Sequence, residues 1–306
     1  MCGIFGITAS KTNIIPQLLT GLNALSYRGY DSVGLCTLSQ NTFMTARAVG
    51  DAAKLPSLTK EQASIGIGHT RWATHGSPSI KNAHPIISHD QVAVVHNGII
   101  TNPLSIKKEL LSKGYIFYSQ TDTEVIAHFL HQQLQHHPPV KAITKLQDKL
   151  QGRYALVLLL SNQPNSLYLL CNNMPLIIGK KNNQFAVSSD IHSLSEYHDF
   201  AYAPNQQPIE VTPHHISASL TFSPIPISPS SQNRNSHQHV TLSEIMEQSL
   251  IPTRLNNYFS QMPIQTIPKT KKLLMIACGS SLHCANMAKS WFTQHGVEVN
   301  VEIASE

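Results

Sequence analysis

The sequence predicts an α+β fold in which helices cover two packed sheets, followed by a polar linker and the beginning of an α/β unit. In residues 1–222, short apolar runs typical of buried strands cluster at both ends, and amphipathic helical patterns lie between them. Residues 223–241 are dominated by Pro, Ser, Asn, Gln and His, which cannot bury a core. Residues 242–306 end in the order strand, glycine turn, helix and strand, which is typical of a βαβ unit.

Each element of the first part has a local signal. Strands are predicted where uncharged apolar residues run together, at residues 4–8, 35–49 (as a pair), 65–68, 91–95, 115–118, 154–160, 167–171, 176–178 and 185–187. Helices are predicted where apolar residues recur every three or four positions, at residues 14–25, 103–113, 125–137 and 140–150. Pro16 suits the first turn of the first helix, and Gly114 ends the second. Thr121-x-x-Glu124 has the pattern of a capping box before the third.

The last part of the chain predicts a second structural unit. A modestly helical stretch covers residues 242–259 and precedes the βαβ pattern, whose strand, turn, helix and strand are residues 273–277, 278–281, 285–292 and 297–303. Continuous apolar strands of this kind belong in a parallel sheet covered on both faces. Two strands cannot make such a sheet, so we expect residues 242–306 to be the truncated beginning of an α/β domain.

Composition excludes several classes of function. Charged residues make up 13% of the 306 residues, and the formal net charge of +5 is spread along the chain without a basic block, which argues against nucleic-acid binding. No apolar run is long enough to span a bilayer, and the start does not resemble a signal peptide. The five cysteines are scattered and lack zinc-site spacing, which favours reduced thiols and a cytoplasmic location. We expect neither a metal nor another cofactor.

The most informative position is Cys2. Aminopeptidases remove an initiator Met that precedes a small side chain, so we expect the mature chain to begin with Cys2. An α-amine with a pKa of roughly 7.7–8 would then lie beside a thiol with a pKa of about 8.5 and could accept its proton. A nucleophile and a base on one residue form a minimal activated nucleophile, and Gly3 and Gly6 let backbone approach it closely. The alternative is that Met-Cys occurs here by chance.

Asn97-Gly98 lies at the end of a predicted strand, where functional loops are often built. A thiolate that attacks an amide carbonyl needs donors for the developing oxyanion, and an Asn amide with a Gly N–H would supply them. The same dipeptide is also a common plain turn. The pattern alone leaves both interpretations open.

Two further predicted corners carry opposite charges. Arg71, in the corner 71–76, could hold the α-carboxylate of a free amino acid, and Asp122, in the corner 121–122, could hold its α-ammonium group. Asp122 could instead serve only the N-terminus of the following helix. The candidate site consists of Cys2 and of the segments 71–76, 97–98 and 121–122, each at the end of a predicted strand.

Five motifs then resemble, in order, the glutaminase domain of the class II glutamine amidotransferases, which are N-terminal-nucleophile hydrolases. The motifs are Cys2-Gly3-Ile4, residues 27–32 (YRGYDS), residues 69–76 (HTRWATHG), residues 96–100 (HNGII) and residues 121–128 (TDTEVIAH). The resemblance covers about residues 1–220. Within the family it is similar to the branch that aminates fructose 6-phosphate.

The resemblance implies a four-layer αββα sandwich and a covalent mechanism. Cys2 would be the nucleophile with its α-amine as the base, and Asn97 and Gly98 would form the oxyanion hole. Glutamine would be hydrolysed to glutamate and ammonia through a γ-glutamyl thioester.

The resemblance also implies how glutamine would be bound. Arg71 would hold the α-carboxylate and Asp122 the α-ammonium group. Trp72 would lie on a loop that closes over the substrate, and Arg28 on a supporting loop. The remaining residues lining the pocket would be Thr74 and His75.

Ala277-Cys278-Gly279-Ser280-Ser281 resembles the opening of a sugar-isomerase (SIS) domain, in which Ser280 and Ser281 would start a sugar-phosphate site. The alternative is a tight strand-to-helix turn. Ser243 and Ser249 stand where the family has Lys and Pro. The family's isomerising residues lie beyond position 306, so we expect fructose 6-phosphate to be used only if the isomerase half is supplied. Full-length members suggest a homodimer.

Three rival interpretations remain. A class II amidotransferase of the phosphoribosyl-pyrophosphate type would share the Cys2 site but should not continue into residues 277–281. Another N-terminal-nucleophile amide hydrolase would not need the Arg71 and Asp122 pair. A decayed, non-catalytic fragment with a binding or regulatory role is the third.

Overall fold

The structure is a computed structural model that describes residues 2–10, 13–56, 62–73, 76–224, 240–261 and 270–304. The chain divides into two compact units, residues 1–230 and 231–306. The division lies within the predicted linker 223–241, of which residues 225–239 are outside the described part. Each unit is considered by itself.

The described elements account for most of the chain. The strands are β1 (Gly3–Ala9), β2 (Ser32–Ser39), β3 (Thr42–Val49), β4 (Ile65–Arg71), β5 (Ile86–Ser88), β6 (Val92–Ile100), β7 (Gly152–Leu160), β8 (Leu167–Asn172), β9 (Ile177–Lys181), β10 (Gln184–Ser188), β11 (Asp199–Tyr202), β12 (Ile209–Val211), β13 (Ser223–Pro224), β14 (Lys272–Ala277) and β15 (Glu298–Ile303). The helices are α1 (Ile15–Ala24), α2 (Pro103–Ser112), α3 (Thr123–Leu134), α4 (Pro139–Lys149), α5 (Val240–Glu247), α6 (Ile251–Gln261) and α7 (Ser280–Gln294).

The first unit contains two sheets whose hydrogen-bonded neighbours are antiparallel. The eight-stranded sheet has the order β13-β11-β9-β10-β1-β4-β2-β3, and the five-stranded sheet has the order β12-β8-β7-β6-β5. In the first sheet, β1 pairs with β10 on one side and with β4 on the other. The N-terminal strand therefore lies in the middle of the sheet, where both of its edges are paired.

Three apolar clusters define four layers, because side chains alternate between the two faces of each strand. Ile4 and Ile67 of one sheet lie with Val157 of the other in the cluster between the sheets. Phe5, one residue on from Ile4, instead lies in the cluster that contains the buried side of α1. A third cluster joins the outer face of the second sheet to α2, α3 and α4. The arrangement is an αββα sandwich, which confirms the predicted fold class.

Two details before α3 contradict the sequence-based predictions. Residues 115–118 are not a strand, because the Glu124 carboxylate accepts the N–H groups of Tyr118 (2.8 Å) and Ser119 (2.7 Å). The predicted capping box is therefore wrong as well: Glu124 is directed at the preceding loop, and the helix begins at Thr123 with Asp122 as the flanking residue. In this segment, hydrogen bonds to the buried Glu124 carboxylate take the place of hydrogen bonds to a neighbouring strand.

The other differences concern the extent of elements. The predicted strand 91–95 continues to Ile100, and the predicted helix 125–137 ends at Leu134. Sequence reasoning missed β5, β11 and β12, which have only three or four residues each and so carry little alternation. The described part contains no helix that is long and apolar enough to cross a membrane.

The second unit contains the predicted βαβ arrangement. Strands β14 and β15 are parallel, with Leu273 opposite Val299, and α7 connects them. The helix is longer than predicted, beginning at Ser280 and ending at Gln294. The predicted helical stretch 242–259 is two helices, α5 and α6, joined by a short 3-10 turn. Leu274 and Ile276 of β14 are more than half exposed.

Candidate active site

Cys2 lies at the beginning of β1, beside the end of β4. Because Gly3 pairs with Thr70, the residue before Gly3 lies next to the residues that follow Thr70. The Trp72 N–H lies 3.3 Å from the Cys2 sulfur, and that thiol lies 3.5 Å from the Trp72 carbonyl oxygen. Cys2 is half-buried, as a nucleophile that must meet a substrate should be.

The surroundings of the thiol favour its protonated form. Burial raises the pKa of Cys2 above its ordinary value, and the Trp72 N–H and the guanidinium groups of Arg71 and Arg28 oppose that shift without reversing it. A raised pKa leaves little thiolate at neutral pH. The sulfur therefore needs a base before it can act as a nucleophile.

The Cys2 carbonyl is held by two side chains. Asn97 Nδ2 donates to it at 3.1 Å and Arg28 Nε at 3.2 Å. Arg28 is itself fixed by Asp190, with Nη1 at 2.8 Å from Oδ2, and the Tyr27 hydroxyl donates to the same oxygen. Burial raises the pKa of Asp190, but the hydrogen bonds from Tyr27, His192 and Arg28 together outweigh it and lower the pKa to about 2. The backbone at Cys2 is thus held in place next to β1 by two side-chain hydrogen bonds.

Asn97 and Gly98 lie inside β6 rather than in the plain turn that the dipeptide also allows. Asn97 is 3% exposed, and its NH2 group carries two hydrogens, of which the Cys2 carbonyl engages one. Gly98 has a φ of +117°, and a Cβ there would lie 2.0 Å from the Arg153 carbonyl oxygen. Only glycine fits this strand position.

Arg71 is the last residue of β4 and is 4% exposed. Burial lowers its pKa, while the nearby groups of Cys2, Asp31 and Asp122 raise it. Its Nη2 donates to the Gly76 carbonyl at 3.0 Å. The guanidinium therefore lies within electrostatic range of both the thiol and the predicted carboxylate partner.

Asp122 does not cap α3 with its side chain, although it occupies the flanking position. Its Oδ2 instead accepts the Ile100 N–H at 3.0 Å, and its Oδ1 lies 3.7 Å from His96 Nδ1. The interpretation of Asp122 as a simple helix-terminus residue is thus disfavoured. The carboxylate is anchored at the end of β6, near Gly98.

The segment after β4 covers one side of Cys2. Trp72 is 43% exposed, and its ring meets the edge of Tyr30 at a centroid distance of 5.4 Å. The Ala73 N–H donates to Asp31 Oδ2 at 2.8 Å. Thr74 and His75, which the sequence placed in the pocket, lie outside the described residues.

Sequence reasoning missed three supporting residues, namely Asp31, His69 and Asp190. Asp190 is 162 positions away from Arg28, so no local pattern could have joined them. Both Asp31 and His69 stand inside the quoted motifs. Period-two alternation along β4 could have indicated that His69 is buried, whereas Asp31 precedes β2 and carries no such signal.

In the second unit, Ser280 and Ser281 form the first turn of α7, after Gly279 at a φ of +60°. Both serines are exposed. Across the ranges that the structure describes, no group of three or more His, Cys, Asp and Glu side chains is arranged to hold a metal ion.

Comparisons with known proteins give a consistent result. A family profile described as a glutamine amidotransferase domain matches residues 69–196. The whole chain is 37% identical to glutamine–fructose-6-phosphate aminotransferase (isomerizing) of Acinetobacter baylyi, covering 53% of that protein. It is 35% identical to the protein of the same name from Legionella pneumophila (strain Paris), covering 55%. The chain thus spans about half the length of the curated relatives it matches.

A solved structure supports the fold. Glutamine phosphoribosylpyrophosphate amidotransferase from B. subtilis matches with a TM-score of 0.59 and 18% identity, over 98% of this chain and 65% of that chain. This likeness bears on the fold alone, whereas the relatives with the fructose-6-phosphate name match at 35–37% over the whole chain. The fold predicted from the motifs is confirmed, and residues 69–196 match the kind of domain that the motifs predicted.

Proposed function

We propose, from the glutamine amidotransferase domain that this chain carries, that it hydrolyses L-glutamine to glutamate and ammonia with Cys2 as the nucleophile. The observation that carries the proposal is the convergence of Cys2, Arg71, Asn97 and Asp122 at one end of the sandwich. These residues come from β1, β4, β6 and the start of α3, and no other described group combines a thiol with both clamp charges. The rest of the mechanism follows from their chemistry.

The base would be the α-amine of Cys2. Burial raises the pKa of the thiol, so an unassisted thiolate would be scarce at neutral pH. An amine with a pKa of roughly 7.7–8 on the same residue is matched to accept that proton. The proposal therefore requires that Met1 be removed.

The oxyanion would be stabilised by Asn97 and Gly98. One Asn97 Nδ2 hydrogen is used by the Cys2 carbonyl, and the second remains for the oxygen that becomes negative during attack. Gly98 lets the backbone pass next to Arg153 without a side chain in the way. The second Asn97 hydrogen and the Gly98 N–H would be the two donors to the tetrahedral intermediate.

The substrate would be oriented by charge. A guanidinium pairs well with an α-carboxylate, and a carboxylate with an α-ammonium group, so Arg71 and Asp122 would select a free amino acid. The side chain of glutamine would then extend towards Cys2, with Trp72 closing over it and Arg28 supporting the nucleophile's backbone. Thr74 and His75 are proposed to complete the lining.

The reaction balances without a cofactor. The thiolate adds to the side-chain amide carbonyl, and the protonated α-amine gives its proton to the departing nitrogen, which leaves as ammonia. The resulting γ-glutamyl thioester is attacked by water, whose proton returns to the amine. Glutamate and the free thiol are then released.

The test is glutamine hydrolysis by the full chain, followed as glutamate release, together with intact mass analysis. We expect the active protein to lack Met1, and 6-diazo-5-oxo-norleucine to add to Cys2 only, with protection by glutamine. Cys2→Ala should abolish turnover and labelling. Cys284→Ala is the matched control, because Cys284 is a free, exposed thiol in the second unit. Turnover by Cys2→Ala, or by protein that retains Met1, would refute the proposal.

The finer assignments are also proposals. The acceptor of the ammonia would be fructose 6-phosphate when the further half that the relatives possess is supplied, with Ser280 and Ser281 contributing to the sugar-phosphate site. We further propose a homodimer and a cytoplasmic location. Glucosamine 6-phosphate formation from glutamine and fructose 6-phosphate by residues 1–306 alone would contradict this division of labour.

A further inference from the structure

We infer that His69 is a positioning residue whose Nε2–H fixes the side-chain amide of Asn97 in the orientation that presents its NH2 group to the reacting carbonyl. The catalytic consequence rests on the proposed glutaminase function. The orientation itself rests on geometry that can be tested separately.

The tautomer of His69 follows from its neighbours. Its Nε2 lies 3.0 Å from the His96 carbonyl oxygen and 3.1 Å from Asn97 Oδ1. A carbonyl oxygen can only accept a hydrogen bond, so Nε2 must carry the proton. A protonated Nε2 cannot accept from an amide NH2 group, so Asn97 must present its oxygen to His69. Its nitrogen then faces the Cys2 carbonyl, at 3.1 Å.

The surroundings keep this ring neutral. His69 is fully buried, and burial together with the nearby His96 and Arg71 lowers its pKa to about 3, although its bonds to Asn97 and His96 oppose the shift. The ring of His84 lies 4.4 Å away, and the His84 and His96 pKa values are lowered by burial as well. His69 Nδ1 has no hydrogen-bond partner within the described ranges. Protonating Nδ1 would place a buried positive charge near the Arg71 guanidinium.

In this arrangement His69 acts as a fixed hydrogen-bond donor to Asn97 and not as a catalytic base for Cys2. The Nε2 proton lies closest to two carbonyl oxygens, with His84 Nδ1 farther away at 3.4 Å, and the contact of the thiol is with Trp72. If His69 were lost, the Asn97 amide could rotate by 180° and direct its oxygen at the developing oxyanion. Loss of one oxyanion donor typically lowers kcat by about 10²–10³, and a partial loss of orientation should cost about 10–100-fold.

The experiment compares His69→Gln with His69→Leu. The Gln side chain places an NH2 group near the former Nε2, with hydrogens for both acceptors, whereas Leu supplies none. We expect kcat for glutamine to fall about 10–100-fold in His69→Leu and to stay within about threefold in His69→Gln, with KM little changed in either. His128→Gln is the matched control, because His128 is also a buried histidine of the first unit, but its hydrogen bonds are to Ser88 and Ile116 rather than to His69 or Asn97.

A second measurement distinguishes an effect on the orientation of the Asn97 amide from an effect on the reactivity of the Cys2 thiol. Alkylation of Cys2 by iodoacetamide forms no oxyanion, so its rate and pH profile should be the same in wild type and His69→Leu. An equal loss of alkylation and turnover, or wild-type kcat in His69→Leu, would overturn the inference.

Nitrogen NMR tests the orientation without any turnover. With ¹⁵N-labelled histidine, the signal that disappears in His69→Gln should be that of a neutral Nε2–H tautomer from pH 6 to pH 8. A neutral Nδ1–H tautomer or a charged ring would overturn the inference. If wild type did not hydrolyse glutamine, the proposed function would fail, and this spectrum would still decide the role of His69.

Discussion

Replacing Gly98 by Ala should destabilise the first unit far more than a similar replacement elsewhere. A Cβ at Gly98 would lie 2.0 Å from the Arg153 carbonyl oxygen, which belongs to the neighbouring strand β7. A φ of +117° costs a non-glycine residue about 1–3 kcal/mol, and forcing an extra methyl against packed backbone costs about 1–3 kcal/mol more. We expect a total of about 2–6 kcal/mol, which is a large share of a typical domain's stability.

Gly114→Ala is the matched control. Gly114 has a φ of +86°, and a Cβ there would meet no atom within 4 Å, so only the backbone term of about 1 kcal/mol should appear. Both variants would be made in a Trp291→Phe background, which leaves Trp72 of the first unit as the sole indole, because the chain has two Trp residues. The urea midpoint from Trp72 fluorescence should be about 1–2 M lower for Gly98→Ala than for Gly114→Ala. Equal midpoints would refute the steric argument.

Three further predictions concern buried charges. Asp190→Asn should lower the free energy of unfolding by about 1–2 kcal/mol at pH 7. This difference should shrink as the pH falls from about 4 towards 2, because its hydrogen-bond donors, Arg28 included, lower the folded-state pKa of Asp190 to about 2. Urea unfolding of both proteins at each pH measures the difference. Glu124→Gln should leave the Ser119 N–H with a weaker acceptor and speed its hydrogen exchange, with no change in α1 amides as the control. The free energy of unfolding of the wild type should decrease as the pH falls below about 6.5, because histidines bind protons in the unfolded chain that they do not bind when buried. Between pH 6 and 5, His84→Gln should reduce the slope of this free energy against pH by up to about 1.4 kcal/mol per pH unit. An unchanged slope would show that His84 is protonated in the folded protein.

The fold could be predicted where periodicity was long and unambiguous. Helices α1, α2 and α4 and strands β7 and β8 fall within two residues of their predicted bounds, because each has an apolar face that the core requires. The segment 115–118 could not be predicted in this way, since its apolar residues look like a strand, whereas the N–H groups of Tyr118 and of the following Ser119 are bound by the Glu124 carboxylate, which comes later in the chain. Local pattern cannot reveal such a partner.

The candidate site was predictable to a similar degree. The motifs name Cys2, Arg71, Asn97 and Asp122, and the structure brings all four together. The supporting contacts were not predictable, because the bond from Asp190 to Arg28 joins distant positions. Asn97-Gly98 shows a second limit of prediction from sequence. The dipeptide is a common turn, but here a strand continues through it, since Ile99 and Ile100 still pair with β7.

Alternation along the strands explains why the site lies where it does. Ile4 and Gly6 of β1 point into the space between the sheets, so Cys2, two positions before Ile4, shares that face. Val95 of β6 also lies between the sheets, so Asn97, two positions after it, lies on the inner face of the opposite sheet. The proposed nucleophile and the proposed oxyanion donor therefore face each other across the end of the apolar inter-sheet core. Their separation depends on how closely the sheets pack, and this explains a glycine at position 6, where a Cβ would already lie 3.3 Å from the Val157 side chain.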